Sequence, residues 1–541
     1  MSEHLEKQEP VESYEKNETP ENIKQEEITT NSSRYLKWLH ALDIVGVENR
    51  GIERVPPEER DAAFAATSPA RQFFRVFGLW FSACGGLTSM SSYFLPTLVF
   101  GLNVKDALVS GVLGTVIGCL VPAYCSIEGP RSGCRQIVSA RFLFGHWGVR
   151  LVVLFVGIGF LGFSIVNCVL GGQVLAAISN VSLAVGIVVI CIVSLIVSIF
   201  GIHILLKFET IFSFPITIAV ILFYVVVFKK HPYIHDSNEA IAAEGFTSLT
   251  NTGNWLSFFT IGFSVTATWG GAAADYYIMF PETTPSWQIF TMTFLGIAVP
   301  TTFVAIIGTV CGALALGYQP WNEVYHTQGV GGLIAVSFEP WGNFGKFVVV
   351  LLYISLICNN IVNNYSIAFC LQLVDKRLAI VPRWVYSVLF TVVCLVISLV
   401  GKDQFSTIIA NFVPMLGYWI SIYIVILLEE NLIFRSNRLK HLHYKEFDVD
   451  KSATIEQYPQ YRYNWNGWDR PELFSHGIAA MASFAVGAVG AVVGMNQVYW
   501  QGPIARHIGD FGGDIGFFLC GAFSAIVYPF FRYAELKHFG K

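Results

Sequence analysis

The chain has 541 residues, of which only 13% are charged while 54% are hydrophobic. A soluble domain carries about 25% charged residues, so the composition excludes a string of soluble domains and points to an integral membrane protein. The net charge of -4 also provides no basic surface of the kind that nucleic-acid binding needs.

Residues 1–33 contain nine glutamates, three lysines and almost nothing apolar. Such a segment cannot bury enough surface to offset its ordering entropy, and it is expected to be disordered. It lacks the basic-then-apolar plan of a cleaved leader, so the first membrane helix is expected to act as the targeting signal. From Ser32 to Arg75 the tail turns basic, ending in Arg60, Arg71 and Arg75. Residues 1–70 are assigned to a cytosolic tail.

Twelve apolar spans follow, at 78–101, 106–126, 149–174, 181–202, 205–228, 254–280, 287–316, 347–372, 382–401, 405–429, 474–497 and 511–530. Each is near the ~20 residues that cross ~30 Å of hydrocarbon. The spans 181–202 and 205–228 are divided only by His203 and Lys207. Basic residues orient the set. With the amino terminus cytosolic, inner loops carry Arg131, Arg135, Arg141, Arg150, Lys207, Lys376, Arg377, Arg383 and seven more between 430 and 473. Outer loops carry six: Lys105, Lys229, Lys230, Lys346, Lys402 and Arg506. The excess of basic residues inside places both termini in the cytosol.

The predicted plan is therefore a ten-helix core over 71–429, a cytosolic loop over 430–473, two additional transmembrane helices within 474–530, and a cytosolic tail over 531–541. His441 and His443 in the loop are read as solvated side chains rather than metal ligands. The segment 317–346, with Trp321, Gly331, Gly332 and Trp341, is expected to lie along the outer surface as a short amphipathic cover. The eleven cysteines form no CxxC pair, and those at 119, 168, 191, 358 and 394 fall in or beside apolar runs. They are read as small buried hydrophobes, with no disulfide and no metal site. Asn180-Val181-Ser182 is a sequon, but it lies too near the bilayer for glycosylation to be expected.

Two spans carry a glycine pair near mid-membrane among hydroxyls and small residues. The first reads Cys84-Gly85-Gly86-Leu87-Thr88-Ser89, the sixth Thr266-Ala267-Thr268-Trp269-Gly270-Gly271. Backbone can be interrupted in lipid only where protein or water surrounds it. Two breaks five spans apart point to an inverted repeat of five plus five helices with a ligand site at the breaks. Close helix packing through small residues is the alternative.

The eighth span contains Asn359, Asn360, Asn363 and Asn364 in the middle of an apolar stretch. Asn359 and Asn363 share one helix face, and Asn360 and Asn364 another. An unpaired buried amide costs about 1–3 kcal/mol, so these groups must bond across helices or bond a ligand. Amides can hold the edge of a planar polar ring while Trp269 or Phe163 covers its face. Asn167 on the third span adds another amide. No basic residue sits at mid-membrane, so a small neutral heterocycle is the expected guest. Glu209 in the fifth span and Asp275 in the sixth are the candidate proton carriers, because ionisable groups in lipid are functional candidates by default. The simpler alternative places both near the cytosolic interface, with Glu209 paired to Lys207.

Enzyme signatures are weak. Gly342-Asn343-Phe344-Gly345-Lys346 lacks the spacing of a phosphate loop, and no metal-ligand spacing, nucleophile triad, dinucleotide fingerprint or channel filter stands out.

Several motifs carry a resemblance. Ala274-Asp275-Tyr276-Tyr277, Phe280-Pro281, Asn359-Asn360-Ile361, Gly512-Gly513-Asp514-Ile515-Gly516 and Glu535-Leu536-Lys537-His538-Phe539-Gly540 are similar to the fungal purine–cytosine permease branch of the nucleobase–cation symporter family, from about Trp80 to Gly540. Within it, Gly85 to Ser92, Ala267-Thr268-Trp269-Gly270, Gly417-Tyr418-Trp419-Ile420-Ser421 and Glu429-Glu430-Asn431-Leu432 resemble plasma-membrane carriers of vitamin B6. The resemblance implies an all-α membrane protein with twelve transmembrane helices: a LeuT-like five-plus-five inverted repeat, broken first and sixth helices, and two extra carboxy-terminal helices. It implies proton symport, with substrate contacts mapping to Ser89, Asn167, Trp269, Asn360 and Asn363 and a coupling glutamate at Glu209. Val362 stands where nucleobase permeases have proline, and Phe163 where they have tryptophan. Both departures weigh against purine or cytosine specificity, although the residue chemistry alone leaves pyridoxine and cytosine open.

The expectation is a proton-coupled plasma-membrane importer of vitamin B6 compounds. It uses no cofactor beyond the coupling proton, and its partners are the lipid bilayer and a small neutral substrate, with no nucleic acid. A nucleobase symporter is the alternative, and a ligand sensor without transport the more distant one.

Overall fold

The computed structural model describes residues 51–179, 181–448 and 462–541. The acidic segment expected to be disordered, and Asn180 of the sequon, lie outside the described residues. Each predicted apolar span carries a helix. We label these α1 Pro69–Cys84, α2 Val104–Ser126, α3 Arg141–Ile178, which is two helical segments joined at a kink at Gly145, and α4 Leu183–Ile199. Next come α5 Ile202–Phe228, α6 Ser248–Ala267, α7 Ser286–Gly317 and α8 Gly342–Val374. The last four are α9 Arg383–Val400, α10 Phe405–Glu429, α11 Ile478–Gly494 and α12 Gly516–Phe539. Among the described residues, eight helical stretches are long and apolar enough to cross a membrane, and α4 and α11 are shorter apolar helices. The chain is a multi-pass membrane protein.

Local chemistry explains the boundaries. α1 starts well before the predicted residue 78 because Pro69 occupies its first turn, where a missing N–H costs nothing. The run 181–228 is two helices, but His203 and Lys207 do not divide it; both lie within α5. The turn is made at Gly201, whose φ of +88° is strained for any L side chain. A polar side chain can remain on a helix, whereas a left-handed backbone ends one.

Both predicted breaks are present. Gly86 is extended, with φ -125° and ψ -162°, and the chain resumes as a short helix Leu87–Met90. α6 stops at Ala267 and continues as the 3-10 turns Thr268–Gly271 and Ala273–Tyr276 rather than as a second helix.

The connecting segments hold more structure than expected. A helix Ile234–Ala243, unforeseen in the sequence, follows α5. The segment read as a short surface cover is a helix Gln319–Phe338, kinked at Gly329. Val330, Leu333 and Ile334 on its second half are buried, and Gly331 N–H donates to Gln173 of α3 at 3.3 Å. It is therefore part of the packed bundle.

The loop after α10 also departs from a solvated strand of chain. Arg532 of α12 donates from Nε and Nη2 to the two oxygens of Glu430, each at 2.9 Å. Arg435 bonds Glu430 at 3.0 Å and Glu446 at 2.8 Å. His443 is only 1% exposed and lies 3.8 Å from Glu430, which corrects the reading of it as solvated, whereas His441 is exposed.

Candidate functional site

The break in α1 frees two backbone groups, and α8 supplies a partner for each. Asn359 Nδ2 donates to the Ala83 carbonyl and Leu87 N–H donates to Ser355 Oγ, both at 2.9 Å. This is the accounting that lipid demands of a broken helix. A Cβ on Gly86 would lie 2.2 Å from Ser355 Cβ, so glycine is what lets α8 approach closely enough.

The asparagines of α8 divide by face. Asn359 Oδ1 accepts from Asn363 Nδ2 at 3.0 Å and from Asn167 Nδ2 of α3 at 2.9 Å. Asn167 also donates to Asn360 Oδ1 at 2.8 Å, and Asn360 donates to Cys168 Sγ at 3.4 Å. Asn364 donates to Thr391 of α9 at 2.8 Å. All five amides are buried, and the lattice contains no charge.

This lattice forms one wall of a cavity between α1, α3, α6, α8 and α10, a concave site between helices of the kind that binds small molecules. Ser89 enters from the α1 break, Trp269 from the α6 break, Phe163 from α3, and Asn359 and Asn363 from α8. Five of the eight predicted substrate residues thus meet at one cavity. Asn167, Asn360 and Asn364 do not line it; their hydrogen bonds run to one another and to neighbouring helices. The aromatic walls are held by other rings. Trp80 packs edge-on to Trp269 at 5.4 Å, Phe412 meets Phe163 at 6.0 Å, and Phe155 stacks on Trp419 at 6.0 Å.

Seven further lining residues were not chosen as contacts in the sequence, among them Thr88, Phe160, Thr268 and Trp419. Thr88 and Thr268 adjoin chosen residues, and Phe160 lies one turn before Phe163. Trp419 on α10 stood out only as part of the Gly417–Ser421 motif and not as a contact, because only the packing brings α10 to the breaks.

The two carboxylates lie behind the wall, in different settings. Glu209 of α5 is fully buried and accepts a hydrogen bond from Ser82 of α1. The Cys358 thiol adjoins it, and its Oε1 has no hydrogen-bond partner. Among the described residues it forms no ion pair, so the expected alternative of pairing with Lys207 is not met. Ser82 and Cys358 immediately precede Ala83 and Asn359, the pair that closes the α1 break. Asp275, by contrast, accepts from Gln136 N–H at 2.8 Å and has Arg135 at 4.0 Å. It ties the end of the α6 break to the segment between α2 and α3.

An uncharged cavity enclosed by two interrupted helices in a multi-pass bundle defines a membrane transporter. The fold is that of Mhp1, a nucleobase-cation-symport-1 family transporter solved in a closed conformation with bromovinylhydantoin bound. The TM-score is 0.60 at 16% identity, covering 91% of this chain and 96% of that one. Residues 67–508 match the family of permeases for cytosine/purines, uracil, thiamine and allantoin, and the chain belongs to that family. It is 46% identical over 532 residues to the vitamin B6 transporter TPN1 of Saccharomyces cerevisiae, covering 93% of this chain and 90% of that protein. It is 32% identical over 507 residues to the purine-cytosine permease FCY21 of the same yeast, covering 92% and 88%. The family expected from the motifs holds over nearly the whole chain, and its members are transporters rather than enzymes.

Proposed function

We propose that this protein imports vitamin B6 compounds across the plasma membrane, driven by protons and working by alternating access. The observation that carries the reading is the 46% identity to a vitamin B6 transporter over 93% of the chain. The site chemistry supports it. Pyridoxine is a neutral hydroxypyridine with hydroxymethyl arms, and the cavity provides rings for its face and the Ser89 hydroxyl and Asn359 and Asn363 amides for its edge. Phe163, in the position where nucleobase permeases resemble one another in having tryptophan, is part of the wall.

In this proposal all twelve labelled helices cross the membrane, α1–α5 and α6–α10 form two inverted halves, and α11 and α12 are additions. The matched breaks of α1 and α6 support that division, and the excess of basic residues in alternate loops supports cytosolic termini. Residues 1–70 and 531–541 are then cytosolic tails and 430–473 a cytosolic loop.

Glu209 is the coupling group. No cation among the described residues neutralises it, so accepting a proton removes a buried charge. Protonation also changes what Ser82 bonds and what the neighbouring Cys358 thiol faces, one residue away from the Ala83–Asn359 closure. Asp275, with Arg135 and Gln136 against it, serves instead to hold the inner end of α6. At ~2.3 kcal/mol per charge per 100 mV, one co-transported proton supports roughly fifty-fold accumulation of a neutral solute.

The family relationship to a purine-cytosine permease sustains a second reading, a nucleobase–proton symporter. Uptake of radiolabelled pyridoxine and cytosine, in cells lacking their own carriers, separates the two. Saturable, acid-stimulated pyridoxine uptake is expected; cytosine uptake with no pyridoxine uptake would establish the second reading.

A further inference from the structure

Behind the amide lattice, three cysteines from three helices meet. Cys168 of α3 has its Sγ 3.5 Å from that of Cys191 on α4 and 3.9 Å from that of Cys394 on α9. The three sulfurs all lie within 4.8 Å of one another, and each residue is buried. Transport as described above uses none of them.

Zinc binds thiolate sulfur at about 2.3 Å, which puts two sulfurs on one tetrahedral or trigonal ion about 3.8–4.0 Å apart, and a larger soft ion sets them somewhat wider. The Cys168 sulfur is already at nearly that spacing from both neighbours, and a small inward shift of Cys191 and Cys394 would complete the set. Soft sulfur donors select soft cations. Net charge selects further. Among the described residues no basic side chain forms an ion pair at this cluster, so a complex in this apolar setting must be close to neutral. A divalent ion that displaces two thiol protons and takes the third thiol as a neutral donor meets that condition, as M²⁺ + 2 RSH → M(SR)₂ + 2 H⁺. Three thiolates on a monovalent or a divalent ion would leave buried negative charge, so at least one sulfur must bind as a neutral thiol.

The cluster is also connected to the cavity. Cys168 Sγ accepts the Asn360 amide, Asn360 accepts from Asn167, and Asn167 donates to Asn359, which lines the cavity. An ion on Cys168 takes one of its lone pairs and draws the sulfur toward the metal, which displaces and reorients the acceptor that Asn360 uses.

We propose that Cys168, Cys191 and Cys394 form a binding site for a soft divalent cation of the mercury and cadmium class, and that an ion there inhibits transport by disturbing the asparagine lattice through Asn360. This goes beyond the transport reading, and its binding arm does not depend on which substrate is carried.

Mercuric chloride is a suitable probe, because its neutral chloride complex enters apolar surroundings. The full-length protein, purified in a bilayer, is given one equivalent and then challenged with excess monothiol. Isolated thiols surrender the ion and a chelating cluster keeps it. The wild-type chain is expected to retain one mercury, read by thiolate–mercury ultraviolet absorption and by metal analysis. Cys191→Ser and Cys394→Ser, each nearly isosteric, are expected to lose at least tenfold in retention, while Cys520→Ser, on α12, is expected to match wild type. In reconstituted vesicles, one equivalent is expected to raise the apparent KM of wild type several-fold and to leave Cys191→Ser unaffected. Equal retention by wild type and both cluster variants would overturn the site. Retention without any change in uptake would overturn its link to the cavity.

Discussion

Two buried polar networks in this molecule solve the same problem with different groups. Beside the cavity, Asn167, Asn359, Asn360 and Asn363 make a lattice of neutral amides. Beyond the end of α10, Glu430 is gripped by Arg532 and Arg435, with Glu446 completing a lattice of charges and the neutral His443 and Tyr528 packed against it. An amide bond exchanged for a bond to a ligand costs little net energy, so the first lattice can open for a guest and close again. A buried ion pair broken on one side leaves a bare charge, so the second holds the post-α10 segment and α12 in one arrangement. The carrier places exchangeable groups where substrate passes and charged ones where the chain is anchored.

The contrast can be broken from either side. The largest effect is expected from Glu209→Gln, which keeps a partner for Ser82 but cannot carry a proton. Accumulation against a gradient, roughly fifty-fold when one proton is coupled, should collapse to equilibration, as read by labelled substrate at steady state across an imposed pH difference. Acid-driven accumulation surviving in this variant would place coupling elsewhere.

On the charged side, Arg532→Ala strips Glu430 of its bidentate partner. A loss of about 3–5 kcal/mol in stability is expected, seen as a lowered Tm of the purified protein, with the KM of whatever folds little changed. On the amide side, Asn363→Ala should do the reverse: a roughly tenfold rise in apparent KM and a small shift in Tm. If Asn363→Ala instead unfolds the protein while leaving KM alone, the amide lattice is scaffold rather than site.

The smallest effect sharpens the comparison through pH. Burial, and then the Arg435 guanidinium, hold His443 well below its ordinary value of 6.5. A group with a depressed pKa contributes stability above its unfolded value and loses it as pH falls. The segment around Tyr444–Asp448 should therefore be well protected above pH 6.5 and open progressively below it, as read by hydrogen exchange. His443→Phe should flatten that dependence.

Much of the site was legible in the sequence because it depends on local spacing. Asn359 and Asn363 share a face by helical periodicity, and that face is the one lining the cavity. The glycine pairs marked both helix breaks, because an interruption in lipid needs small residues and hydroxyls around it. The direction in which the second face points was not legible. Asn360 and Asn364 are chemically identical to their neighbours, and only the placement of Cys168 and Thr391 on other helices turns them away from the cavity. The same holds for Trp419, which reaches the site from α10, and for His443, which looks solvated until Glu430 and Glu446 are seen on either side of it.

Composition and periodicity by themselves determined a helical membrane protein with two interrupted spans, an uncharged polar centre and two candidate carboxylates in the spans, since each follows from what a lipid environment permits within a single segment. Tertiary structure decided which amides meet the guest, which carboxylate lacks a cation and which thiols touch. Those are relations between helices far apart along the chain, and the physics of one helix carries no record of its neighbour.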